Sequence, residues 1–193
     1  MRDAIRELFE ASAHAKQVFL SENADALERA IGIVADALGR GKKLLLFGNG
    51  GSAADAQHIA AEFVGRFMRE RRPLPAIALT TDTSALTSIA NDYGYDDVFA
   101  RQVRALAMAG DVALAISTSG RSPSVLRAAA ACRELGVTTI GLTGGDGGEL
   151  ARAVDLSLRV SASRLSARIQ ETHILVGHVI CELVDRRLFG ETV

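Results

Sequence analysis

The sequence predicts an α/β protein, a three-layer α/β/α sandwich built on a five-stranded parallel sheet with additional helices at the N-terminus. Two patterns lead there. Five short apolar runs alternate with longer stretches whose apolar residues recur at helical spacing, the arrangement of strands joined by helical crossovers. Turns rich in glycine and serine follow particular runs, at the strand ends where ligand loops gather in such sheets.

Ile5, Leu8, Phe9, Ala15 and Phe19 fall at helical spacing, and so do Leu27, Ile31, Val34 and Leu38, so two amphipathic helices are expected to open the chain. Gly39 and Gly41 suit a helix stop, and the run LLLF at 44–47 reads as a strand buried on both faces. Further runs follow at 76–79, 112–116, 137–142 and 154–160, with helix-like stretches such as SPSVLRAAAACREL between them. The last segment, ARIQETHILVGHVICELVDRRLF, is apolar on more than one side through Ile174, Leu175, Val176, Val179, Ile180, Leu183 and Val184, which predicts packing against another subunit. No repeat or long polar linker interrupts the chain, and proline occurs only at 73, 75 and 123, so residues 1–193 read as one domain.

Composition narrows the function classes. A formal net charge of -1 gives no broad attraction for nucleic acid or acidic lipid, so an anion must be caught locally. Cys132 and Cys181 lack the close spacing of a zinc knuckle or redox pair and read as reduced core residues. Charges interrupt every apolar stretch of the first twenty or so residues, leaving neither a signal-peptide core nor a membrane span, so the expected compartment is the cytoplasm.

The strand at 44–47 runs into GNGGS and then a helix, with Ser52 as a plausible cap; such a turn presents backbone N–H groups to a ligand. Gly48, Gly50 and Ala53 fit a dinucleotide fingerprint, but the first acid after a second strand, Asp82, lies too far along, and no Gly-Lys-Ser/Thr follows for a nucleotide phosphate loop. The strand at 112–116 ends in Ser117-Thr118-Ser119-Gly120-Arg121-Ser122-Pro123, where hydroxyls precede a helix with proline at its expected first position. Hydroxyls and free N–H groups together can cradle a phosphate. His58 and Glu62, four residues apart on one helix, project from the same face. Gln170 and His178 sit eight apart on the terminal helix with His173 between them; whether the two helices bring their nitrogen and oxygen ligands to one metal is left open by spacing. Asn91-Asp92 is a candidate for sugar hydroxyls at a strand's outlet loop, and His14 has no partner in the pattern and reads as a surface residue.

The blocks GNGGSAADAQHIAAEF, RPLPAIALTTDTS, ANDYGY, GDVALAISTSGRSPSV, LTGGDGGEL and ARIQETHILVGHVICEL, in that order, resemble those of the bacterial phosphoheptose isomerases, and the likeness covers nearly the whole chain. The resemblance implies the SIS (sugar isomerase) fold with a flavodoxin-like sheet, a homotetramer to which residues 1–40 contribute, and conversion of sedoheptulose 7-phosphate to D-glycero-D-manno-heptose 7-phosphate. It implies Glu62 and His178 as the acid/base pair, and one zinc ion per subunit held by His58, Glu62, Gln170 and His178. It further implies substrate contacts from Asn49, Gly50, Gly51, Ser52, Glu62, Asn91, Asp92, Ser117, Thr118, Ser119, Ser122 and Gln170. One passage departs: the segment before RIQE reads SASRLSA, where other members carry an acidic residue or Thr-Pro, so Ser166 is assigned no role.

Two other functions compete. Related proteins bind a bacterial replication initiator instead of catalysing, but they lack the helix carboxylate and second histidine that stand here as Glu62 and His178. A sugar-phosphate-sensing regulator would need a DNA-binding domain, for which 193 residues leave no room.

Overall fold

The computed structural model describes residues 1–190. Five parallel strands, β1 (Leu44–Gly48), β2 (Ala76–Ala78), β3 (Val112–Ser117), β4 (Thr138–Gly144) and β5 (Leu156–Val160), form one sheet in the order β2-β1-β3-β4-β5. The helices are α1 (Arg2–Gly39), α2 (Gly51–Val64), α3 (Thr83–Tyr93), α4 (Val98–Leu106), α5 (Pro123–Glu134), α6 (Leu150–Ala153) and α7 (Ser166–Phe189), with a 3-10 turn at Tyr95–Asp97.

Side chains alternate across the central strands and divide the core in two, because successive residues of a strand face opposite sides. Leu44, Leu46, Val112, Leu114 and Ile116 join α1, α2 and α7 on one face. Leu45, Phe47, Ala113 and Ala115 join α4, α5 and α6 on the other. These are the three layers that the apolar runs predict.

One expectation is corrected. The N-terminus is not two helices but one, the 38-residue α1. No glycine or proline breaks SENADAL, and the polar gap in the helical pattern has a use. At its centre Asn23, buried, donates from Nδ2 to Phe19 O at 2.9 Å and to Arg159 O at 3.2 Å, while Arg159 N–H donates to Asn23 Oδ1 at 3.2 Å. The amide thereby occupies the free edge of β5. The apolar terminal helix α7 packs within the chain on α1 and α2, leaving Leu175 and Leu183 exposed.

Strand order reverses between β1 and β3, whose C-terminal ends lie side by side with Gly48 opposite Ile116. The glycine turn and the serine loop therefore meet at the topological switch point, where open α/β sheets bind ligands.

Candidate active site

The first half of the site is a cradle at that switch point. Gly50 takes φ 56°, a backbone shape that a side chain would strain, and so becomes the N-cap of α2. Because the helix starts there, Ser52 is not the cap that its position suggests; it lies in the first turn, buried. Across from it, Gly120 N–H donates to Ser117 Oγ at 3.1 Å, Arg121 N–H donates to Ser119 Oγ at 3.2 Å, and Ser122 is the N-cap of α5 with Pro123 next. Asn49 ties the two loops together, donating from Nδ2 to Ser122 Oγ at 2.7 Å and Ser124 Oγ at 3.0 Å. The cleft between them, of about 180 Å³, gathers Asn49, Ser52, Ser117, Thr118, Ser119, Ser122 and Gln170.

The second half lies farther along α2 where it meets α7. These helices run side by side in the same direction. A Cβ on Gly51 would meet the Gln170 amide at 2.3 Å, and one on Gly177 would meet Ile59 Cδ1 at 2.5 Å, so small residues allow the close approach at two levels. At the second of these levels His58 Nε2 lies 3.3 Å from Glu62 Oε1 and 3.0 Å from His178 Nε2. The ligand atoms of the three residues all fall within 4.8 Å of one another. The Phe67 ring stacks on His178 with centroids 5.5 Å apart, fixing the imidazole plane.

The surroundings of this cluster are charged and tightly bonded. Arg71, with a side chain only 1% exposed, pairs with buried Asp185 at 2.9 Å and donates to the carbonyls of Glu62, Phe63 and Gly65 at 2.8, 2.8 and 3.0 Å. It thereby caps the end of α2 and pins it to α7. Burial pushes the Asp55 carboxyl up, against the lowering pull of His58, and its Oδ2 is buried without a hydrogen bond. The Cys181 thiol is pushed well up, first by burial and then by the Glu62 and Asp185 charges, so it is an inert core group.

Comparison with known proteins decides the assignment. The chain matches the SIS domain over residues 7–144. It is 54% identical to the phosphoheptose isomerase of Aquifex aeolicus over 96% of each chain, and 58% identical to that of a Roseiflexus species over 94% of this chain and 92% of the relative. Among solved structures, the phosphoheptose isomerase of Neisseria gonorrhoeae superimposes with a TM-score of 0.89 at 45% identity, covering 95% of this chain and 98% of that one. That of Francisella tularensis gives 0.91 at 40% identity, covering 95% and 97%. The chain belongs to the phosphoheptose isomerase family.

As a phosphoheptose isomerase family member, the protein brings together most, not all, of the residues its sequence singles out. His58, Glu62 and His178 converge as one metal-like cluster. Gln170 stands apart from it: its amide lies against Gly51, about two turns of α7 before His178, so within this chain it belongs to the cradle. Asn91 and Asp92 do not lie on a strand's outlet loop. Asp82 accepts from Ala85 N–H at 2.9 Å and starts α3 early, so the pair closes the last turn of that helix, exposed, with Asn91 Nδ2 donating to Asp92 Oδ1 at 2.8 Å.

Other contributors were given no role by the sequence. Tyr95 donates its hydroxyl to Asn49 Oδ1 at 2.9 Å, from beyond α3. Arg71 acts over the end of α2 as described. Arg121, which also lines the cradle, pairs with Asp146 at 2.5 Å; the two border a neighbouring cleft of about 300 Å³ together with Arg164, and the Arg121 bond, aided by the Gly148 N–H, pulls the Asp146 carboxyl down to about 2. No helix among the described residues is long and apolar enough to cross a membrane.

Proposed function

We propose that this protein isomerises sedoheptulose 7-phosphate to D-glycero-D-manno-heptose 7-phosphate, the first step toward ADP-heptose and the lipopolysaccharide core, in the cytoplasm. The observation that carries the reading is the convergence of His58, Glu62 and His178 beside a hydroxyl-lined cradle. From Gly51 to His58 the helix rises roughly 10 Å, comparable to an open seven-carbon sugar phosphate reaching from its phosphate to its carbonyl end.

The chemistry follows from these positions. The cradle at Ser117, Thr118, Ser119 and Ser122 binds the phosphate with hydroxyls and the N-terminal N–H groups of α5, which orients the sugar. Asn49, Gly50, Gly51, Ser52 and Gln170 line the sugar's path, and Asn91 and Asp92 are assigned to its hydroxyls from α3. Glu62 takes the proton from C1, alpha to the ketose carbonyl, as the C2 oxygen gains a proton, giving an enediol. The C1 hydroxyl then gives up its proton while Glu62 returns one to C2, leaving an aldehyde at C1. His178 carries the proton between the two oxygens. No oxidant or reductant enters, since hydrogen only changes place.

The cluster fits a zinc ion. Ligand atoms 3.0 and 3.3 Å apart are close to the spacing of two donors about 2.0–2.1 Å from a shared tetrahedral centre. A nitrogen, nitrogen and oxygen donor set also suits zinc. When bound, zinc supplies Lewis-acid polarisation of the sugar oxygens. His58, Glu62 and His178 would hold it. Gln170, two turns earlier on α7, is assigned as the fourth ligand on the family resemblance alone.

A homotetramer accords with the apolar surface left on α1 at Ile5, Leu8, Phe9 and Leu20 and on α7 at Leu175 and Leu183, to which residues 1–40 contribute. The non-catalytic reading, binding of a replication initiator, leaves the Glu62–His178 convergence without a use. Incubation of zinc-loaded protein with sedoheptulose 7-phosphate in deuterated water tests the proposal. Proton NMR is expected to show the aldose with deuterium at C2, and recovery of the unchanged ketose would overturn it.

A further inference from the structure

Asn49 is held from two sides. Its Oδ1 accepts from the Tyr95 hydroxyl at 2.9 Å, while its Nδ2 donates to Ser122 Oγ and Ser124 Oγ. An amide has one oxygen end and one NH₂ end, so the first bond decides which end faces the serines. With Nδ2 toward them, both serine oxygens act as acceptors, and Ser122 keeps its own O–H proton for another partner. A reversed amide would accept that proton instead, and the cleft would lose a donor. Ser122 both lines the cleft and caps α5, so the proton it keeps is offered to whatever anion sits at the helix start.

Tyr95 is placed deliberately for this contact. Gly94, at φ 91°, turns the chain out of α3, and the 3-10 turn that follows is clamped to α5 by Arg127, which pairs with Asp97 at 2.6 Å and Asp96 at 3.4 Å. The tyrosine hydroxyl is thus fixed relative to the helix that carries Ser122.

We propose that Tyr95 is a positioning residue for phosphate recognition: through Asn49 it sets the direction of a hydrogen-bond chain so that Ser122 donates to the substrate's phosphate. The inference rests on the cradle being the phosphate site and extends that site to a residue whose action passes through another. Tyr95→Phe removes the hydroxyl from an exposed ring and frees the Asn49 amide to turn.

Calorimetric titration with inorganic phosphate tests it in four proteins: wild type, Tyr95→Phe, Ser122→Ala and the double variant. The bias lost with one neutral hydrogen bond corresponds to about a five-fold weaker phosphate affinity for Tyr95→Phe. In the Ser122→Ala background the same change is expected to cost less than about two-fold, because a residue acting through Ser122 has nothing left to act on. Turnover should show a raised KM with kcat kept, since Glu62 and His178 lie at the other end of α2. Equal losses in both backgrounds, no loss in the first, or a wild type that does not bind phosphate would each overturn the inference. The titration needs no turnover, so a protein that binds phosphate but does not isomerise would sink the isomerase proposal and leave this test standing.

Discussion

His173 makes the stability of this protein depend on pH in a way that one substitution isolates. The ring sits on α7 with no exposed surface, its Nε2 donates to Thr143 O at 3.1 Å, and its Nδ1 is buried without a partner. A proton on Nδ1 would therefore place a charge where nothing solvates it. Burial lowers the imidazole to about 4 from an ordinary 6.5, the Thr143 bond offsetting only part of the effect. The folded state thus binds this proton less readily than the unfolded chain. The native advantage is complete above the unfolded value and is lost as pH falls from about 6.5 toward 4. The full difference corresponds to about 3 kcal/mol, and to about 2 kcal/mol near pH 5. His173→Gln keeps a donor of similar reach and removes the titration. Denaturant unfolding of both proteins at equal subunit concentration, near pH 7.5 and near pH 5, reads the difference. Every other group is common to the two proteins, so its contribution cancels. Wild type is expected to lose about 2 kcal/mol more than the variant over this range, and parallel pH curves would refute the reasoning.

Other outcomes follow from the same structure. Glu62→Gln should abolish isomerisation while leaving inorganic phosphate affinity intact, and turnover within a few-fold of wild type would remove Glu62 as the base. Purified protein should carry zinc by elemental analysis, and chelation should slow turnover reversibly; fully active protein without metal would contradict this. Arg71→Met leaves Asp185 buried and uncompensated and frees three carbonyls at the end of α2, so unfolding should register a loss of about 3–5 kcal/mol; a loss below about 1 kcal/mol would show the pair to be dispensable. Gly177→Ala drives a methyl into Ile59 Cδ1 and Cγ1 and should cost about 1–3 kcal/mol and weaken zinc binding, with Ile59→Ala, which removes both clashing atoms, restoring the zinc affinity.

The parts of this protein legible in its sequence are those governed by local periodicity. LLLF and VALAI announce strands covered on both faces, and the glycine and serine loops that end them could only meet if those strands are neighbours. His58 and Glu62 were readable because four residues on a helix is a fixed geometry. What distance decides was not. The continuity of α1 depends on Asn23 finding the backbone of β5, 136 residues later. The placement of Gln170 depends on Gly51 admitting its amide, and Asn91 and Asp92 became helical because Asp82 caps α3. Tyr95 lies within the ANDYGY block and Arg71 outside every block, but neither role could be read, since each works through one bond or a few to a segment that folding alone brings near.

The Asn23 amide has a consequence for how copies of this chain behave toward one another. A parallel sheet that ends in an uncovered strand is an invitation to polymerise, because its outer backbone groups recruit any extended segment that passes. Here a side chain in mid-helix imitates a neighbouring strand, offering one donor and one acceptor to Arg159. The opposite border is a strand of three residues, too short to template much. The long first helix is thus a guard rail as well as packing material, and loosening it would expose the protein to fibrous self-association before its catalytic end was disturbed.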